Sequence, residues 1–484
     1  MSTEAGTGGS GGTGGLSAAQ AEEGYHTSRV VLLAGVAALG GFLFGFDTSV
    51  INGAVDAMSA DFEIGGLLTG FVVSTALLGA MVGAYLAGTL ADRYGRLRVM
   101  FGASALFTIS AIGSGLAVGP WDMIAWRVVG GLGVGAASVI APAYIAEISP
   151  AQIRGRMGSL QQLAIVTGIF VALLSDAALA GLAGGANEEL ALGLDAWRWM
   201  FLAEIIPAVL YGVLATTIPE SPRYLMSLGN EQKARDVLRR VIKGGIDHRI
   251  SEIRRTLRRE RQTSLADLKG PAFGLLPIVW IGIALSVFQQ FVGINVIFYY
   301  STSLWQSVGF SESDALLQSV ITSVTNIVVT VLAIALIDRI GRRKLLTIGS
   351  SGMVLSLGTL AYAFSTATVR MVDGEETPML GDVMGPVALV AANAFVVFFG
   401  MSWGPAVWVL LGEMFNNKIR GTALGIAAGA QWLANFVIST AFPRAAEFSL
   451  TVSYGFFTVM ALLSLVFVVK FVPETNAKEL EDME

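Results

Sequence analysis

The chain has 484 residues, of which 54% are hydrophobic and 14% charged, with 36 acidic against 31 basic side chains for a net charge of −5. Soluble domains carry about 25% charged residues, and a soluble fold of this length cannot hide so much apolar surface. With no cysteine and only His26 and His248, both outside the apolar runs, disulfides, thiol chemistry and a histidine metal site or proton relay are excluded.

The first 28 residues, opening MSTEAGTGGSGGTGG, read as a flexible Gly/Ser-rich tail without the basic-then-apolar pattern of a cleaved signal. Twelve apolar runs follow, near 29–56, 66–91, 98–118, 121–146, 157–182, 197–218, 273–306, 315–337, 344–367, 384–412, 420–443 and 450–472. Each is long enough to cross about 30 Å of hydrocarbon. The expected fold is therefore an all-α integral membrane protein with two six-helix bundles, 29–220 and 273–473. Residues 221–272 join them through Arg-rich helical patterns, EQKARDVLRRVIK and ISEIRRTLRRERQ, read as a linker on the membrane surface, and 474–484 form a short tail. Basic loops alternate with acidic ones. Arg93, Arg96, Arg98, Arg154, Arg156, Arg342, Arg343 and Lys344 fall on one side; Asp61, Glu63, Glu188, Glu189, Glu312, Asp314 and Asp382 fall on the other. Positive loops face the cytoplasm, so both termini are expected inside a plasma membrane.

The order of motifs repeats. DRYGRLR at 92–98 returns as DRIGRRK at 338–344, EISPAQIRG at 147–155 as EMFNNKIRG at 413–421, and PESPR at 219–223 as PET at 473–475. A parallel duplication between apolar runs points to a transporter with a central site between two related bundles. Charged groups at the basic ends, Asp92, Arg93, Glu147, Arg154, Asp338, Arg339, Glu413 and Arg420, are expected to form a gating network that latches the halves when the opposite side is open.

Ionisable groups deep in a span cost about 3 kcal/mol or more, so they tend to be paired and functional. Asp47, Arg127 and Glu204 lie in GFLFGFDTSVINGA, WRVVGGLGVG and FLAEIIPA of the first half. One arginine alternating between two carboxylates suits proton coupling; a static ion pair fixing helix packing is the other reading, and spacing leaves both open. The second half supplies amides and aromatics instead. FQQFVGINVIFYY carries Gln289, Gln290, Asn295 and Tyr299, with Gly293 loosening the helix; MSWGPAVW carries Trp403 and an expected hinge; QWLAN carries Gln431 and Trp432. Asn326 and Gln162 add to them. Amides donate and accept, and indole faces stack on pyranose rings, a set that suits a sugar. The GGLGVG string lacks a βαβ setting and reads as close helix packing.

The strings GFLFGFD, LADRYGRLR, RVVGGLGVG, PESPRYL, QQFVGIN, IDRIGRR and the closing PET resemble the sugar porter family of the major facilitator superfamily, over about residues 30–476. The MSWGPAVWVLLGEMF and AQWLANF strings are similar to the bacterial sugar–proton symporters. The resemblance implies twelve spans and a proton-coupled sugar symporter, with Asp47 as coupling aspartate, Arg127 its partner and Glu204 the nearby acid. Facilitative glucose transporters carry asparagine at the place of Asp47. The resemblance implies Gln162, Gln289, Gln290, Asn295, Asn326, Trp403, Gln431 and Trp432 as sugar ligands, with Phe44 and Tyr299 lining the cavity. Ile169 and Phe298 stand where the xylose type has glutamine and leucine, which favours glucose; Gly400 takes no ligand role. No cofactor is expected beyond the proton, no nucleic-acid partner, and a monomer is the expected unit. A sugar uniporter or a sugar sensor are the alternatives, and no nucleophile–base pair suggests an enzyme.

Overall fold

The computed structural model describes residues 24–150, 153–259, 265–372, 375–415 and 419–474. Among them twelve helices are long and apolar enough to cross a membrane. In chain order they are span 1 (Thr27–Asp61), span 2 (Gly66–Tyr94), span 3 (Arg96–Gly115), span 4 (Pro120–Ile148), span 5 (Arg156–Ala183) and span 6 (Ala196–Ala215). The second set is span 7 (Pro277–Gln306), span 8 (Glu312–Leu336), span 9 (Arg342–Ser365), span 10 (Met384–Leu411), span 11 (Thr422–Phe448) and span 12 (Leu450–Phe471). A helix satisfies every backbone amide internally, which hydrocarbon requires. Exposed apolar side chains such as Ile206, Leu355 and Val390 stand on the outer surface where lipid covers them.

Spans 1–6 pack mainly among themselves, as do spans 7–12. The halves meet where span 2 packs on span 11, span 5 on span 8, and the end of span 1 on span 7. These pairs exchange under the duplication, so the interface has the pseudo-symmetry that the repeated motifs predict. Backbones approach closely between spans 2 and 4. A Cβ on Gly131 would sit 2.0 Å from the Ala76 carbonyl oxygen, and one on Gly135 2.1 Å from that of Ala80. The GGLGVG string is thus a packing surface.

Four spans are interrupted. Span 1 turns at Val50, where Thr48 Oγ1 donates back to the Phe44 carbonyl at 2.8 Å. Span 6 breaks at Glu204, because Pro207 has no N–H for the carbonyl four residues back. Span 7 breaks at Gly293, whose φ of +88° is left-handed and open chiefly to glycine. Span 10 breaks at Ser402, ahead of Pro405. Span 1 also continues to Asp61, beyond its expected end near 56. Span 7 starts at Pro277 rather than 273, since residues 270–275 form a tight turn with Phe273 at φ +46°.

At the basic end, the linker forms helices Pro222–Ser227, Glu231–Val241 and Ile246–Arg259. Ala234, Val237, Leu238 and Val241 bury the apolar face of the middle one. Glu231 is held below the usual carboxylate range, first by the hydrogen bond from Arg235 and then by the charges of Arg254 and Arg235. Of the tail expected to be flexible to residue 28, residues 1–23 lie outside the described residues, while at 24–28 Tyr25 bridges Ile242 and the His26 N–H donates to the Val241 carbonyl at 2.8 Å. Two hairpins, Glu189–Ala191 with Leu194–Asp195 and Thr368–Val372 with Glu375–Met379, cover the acidic end.

Candidate functional site

A cavity of about 1140 Å³ lies between the two halves. It reaches Arg156 on span 5 and Arg342 on span 9, and so opens toward the basic end. The other end is closed by hydrogen bonds between the halves. Asn52 on span 1 donates to the Phe298 carbonyl and Ser301 Oγ, both at 2.9 Å, and accepts from the Thr302 N–H at 3.2 Å and hydroxyl at 2.5 Å. Ser74 and Thr440 join spans 2 and 11 at 2.5 Å, and Ser303 donates to Asp56 at 2.6 Å.

Most sequence-predicted ligands meet on this cavity. Phe44, Gln162 and Ile169 line it from the first half. Gln289, Gln290, Asn295, Phe298 and Tyr299 line it from the broken span 7, with Asn326, Gln431 and Trp432 from spans 8 and 11. The span 7 break sets the amides in a chain: Asn295 donates to Gln290 at 2.6 Å, Gln290 to Gln289 at 3.5 Å, and Gln289 to the Trp403 carbonyl at 2.8 Å. Without the left-handed turn at Gly293, the two sides of the break would not face each other this way. Phe44 and Trp432 pack across the halves with ring centroids 5.8 Å apart. Gln431 Oε1 has no hydrogen-bond partner, leaving an acceptor for a ligand hydroxyl.

Trp403 departs from expectation. Its side chain is fully buried outside the cavity, with Nε1 donating to Ser350 at 2.9 Å. The break at Ser402 turns it into the packing against span 9, and Trp408 lines the cavity instead. Gln161, beside Gln162, and Asn435, one helical turn beyond Gln431, line it too, as their shared helix faces suggested; Thr48, Phe399 and Pro142 also line it and were missed. Gly400 borders the cavity as well, without a side chain to offer.

Behind the wall at Phe44 and Thr48 lies the buried ion pair. Arg127 donates from Nη1 to the Asp47 carbonyl at 3.0 Å and lies 3.4 Å from Asp47 Oδ1, both side chains being 2% exposed or less. Glu204 is buried within electrostatic reach of both, at the break in span 6, but forms no ion pair among the described residues. Its Oε1, Asp47 Oδ2 and Arg127 Nε have no hydrogen-bond partner.

The basic-end network differs from the expected pairs. Arg96 holds Glu147 bidentately, at 2.8 and 3.0 Å, while both oxygens of Glu220 accept the N–H groups of Arg96 and Leu97. The second half repeats this with Arg342, Glu413 and Glu474. Glycines at φ +95° and +90°, Gly95 and Gly341, aim the two arginines. In this conformation these bonds lie within each half. Asp92 pairs with Arg96 at 3.3 Å, and Arg93 lies over the Tyr94 ring. Arg154, expected on Glu147, has an unpartnered Nε and is held below its usual range by burial and by the nearby Arg249, with Glu252 opposing. Arg339 is exposed, and the side chains of Asp338 and Arg420 lie outside the described residues.

The family model for "Sugar (and other) transporter" matches residues 33–484. The chain is 57% identical over 456 residues to a glucose transport protein of Synechocystis sp., covering 94% of this chain and 97% of that one. It is 39% identical over 494 residues to the D-xylose-proton symporter of Escherichia coli, covering 95% and 96%. Among solved structures, the partially occluded inward open xylose transporter XylE from E. coli superposes with a TM-score of 0.80 at 36% identity, over 93% of this chain and 100% of that chain. The same proton:xylose symporter bound to 6-bromo-6-deoxy-D-glucose gives 0.76 at 38%, over 95% and 99%. The fold is that of the major facilitator superfamily, and the chain belongs to the sugar transporter family.

Proposed function

We propose that the chain is a proton-coupled monosaccharide symporter with D-glucose as its preferred substrate, working by alternating access. The observation that carries this reading is the amide-walled cavity shared by the two halves, open at one end and backed by a buried Asp47–Arg127 pair. The basic end is cytoplasmic, so this conformation faces inward with both termini inside, and one chain contains a complete pathway.

Coupling follows from the unequal partners of the ion pair. An ionised Asp47 holds Arg127. A proton on Asp47 removes that charge, and Glu204, whose Oε1 lacks a partner, becomes the group to which Arg127 turns. Phe44 and Thr48 flank Asp47 on the same span and face the cavity, so a shift at the pair moves the wall that touches sugar. The membrane potential supplies about 2.3 kcal/mol per charge per 100 mV, and each pH unit about 1.4. Ile169 and Phe298 both face the cavity, and the 57% identical relative is named a glucose transport protein, which together favour glucose over xylose.

The test is labelled-glucose uptake into proteoliposomes with an inward proton gradient. Accumulation above equilibrium, abolished by a protonophore and competed less by xylose than by glucose, is the expected result. Uptake that only equilibrates makes the protein a uniporter and the ion pair structural.

A further inference from the structure

Span 5 holds an acid that the coupling scheme leaves unused. Asp176 is 0% exposed. Its Oδ2 accepts one long hydrogen bond, from the Gly53 N–H at 3.3 Å, and its Oδ1 has no partner. Span 1 packs closely against it: a Cβ on Gly53 would lie 2.5 Å from that of Asp176. The elements packed on span 5 include spans 1, 4, 6 and 8 and the strand Glu189–Ala191. Their charged groups include Asp47, Asp56, Arg127, Glu189, Arg198, Glu204 and Glu312, and none forms an ion pair with Asp176 among the described residues. An ion buried without a partner costs several kcal/mol, so this packing disfavours the ionised carboxyl.

Its position connects it to gating. Gln162, Ile169 and Asp176 follow at seven-residue steps, which drift only about 20° around a helix. Gln162 and Ile169 line the cavity, and Asp176 continues their stripe past its closed end. The Gly53 that bonds it is adjacent to Asn52, which ties span 1 to span 7 across the closed end. From the other half, span 8 packs on span 5, and Glu312 at its start accepts the Ala186 N–H at 2.9 Å, so separating the halves at the acidic end would uncover this stretch of span 5 to water.

We propose that Asp176 is a second proton-binding site, on the acidic side of the sugar cavity, which takes up a proton as that end closes and releases it as that end opens. The proposal rests on the alternating-access reading above. Its sign follows from linkage: the closed end binds the extra proton, so acidification of the acidic-side solution favours closure. One such group changes the open-to-closed ratio by up to about tenfold per pH unit between its pKa values in the two states.

Two measurements test it. Infrared spectra of purified protein at neutral pH should show a protonated-carboxyl stretch in wild type that Asp176→Asn lacks; identical carboxyl bands in the two proteins overturn the assignment. The chain has no cysteine, so spin labels can be placed at Val118→Cys and Phe448→Cys, exposed at the acidic ends of the two halves. In an Asp47→Asn background, raising the pH should lengthen their separation, and adding Asp176→Asn should remove that response. A pH response independent of Asp176, where sugar still moves the labels, overturns this proposal alone. A wild-type separation insensitive to sugar and pH overturns alternating access as well.

Discussion

Trp403 and Trp408 stand five residues apart in one broken helix and do different work. Trp403 is sealed against Ser350, whereas Trp408 borders the cavity. Trp403→Phe should lower thermal stability by about 1–2 kcal/mol through the lost buried hydrogen bond, with KM for sugar within twofold of wild type. Trp432→Ala, which removes a ring facing the cavity, should raise KM about tenfold, equivalent to 1.4 kcal/mol. Uptake kinetics and melting curves on the same preparations check both. The residue types were legible in the sequence; their aim was not. Helical spacing says which side chains share a face, but not which face a break turns toward the bundle axis. The buried pair makes a sharper demand. Arg127→Leu strands Asp47 in the interior, where breaking a pair costs about 3–5 kcal/mol. Asp47→Asn with Arg127→Leu should recover much of that stability without recovering accumulation, as melting temperature and gradient-driven uptake would show.

At the scale of the element, the breaks at Gly293 and ahead of Pro405 were legible because their cause is local, whereas the one at Glu204 ahead of Pro207 was not anticipated. Gly293→Ala tests one directly. It forces a side chain to φ +88° and places a Cβ 2.8 Å from the Phe457 ring. A strain of about 1–3 kcal/mol should appear as lower stability, together with weaker sugar binding because the span 7 amides lose their alignment. The basic-end networks were less legible. Both arginines lie in the repeated motifs, but Arg96 finds its glutamate 51 residues away and Arg342 71 residues away. For Glu147, the nearer partner suggested by spacing, Arg154, is not the one the helix ends bring to it. The same limit applied to residues 24–28, whose order comes from pairing with Ile242 far along the chain. At the acidic end, Asn52→Ala removes four hydrogen bonds between the halves. It should shift the equilibrium toward an open acidic end, read as faster labelling of cysteines introduced on the cavity wall from that side.

For the whole molecule, the duplication announced two bundles, and the interface pairs of spans 2 with 11 and 5 with 8 follow the same symmetry. The conformation was not legible. It depends on small differences between two hydrogen-bonded ends, while the same apolar pattern serves every state of the cycle. The central claim is that sugar movement carries a proton through Asp47, and it is tested most directly by the external pH of lightly buffered cells or vesicles when sugar is added. Wild type should alkalinise the medium on adding glucose, and Asp47→Asn should abolish the signal while labelled-glucose exchange continues. Rapid glucose entry with no pH change in wild type, or an undiminished pH change in Asp47→Asn, would contradict the account.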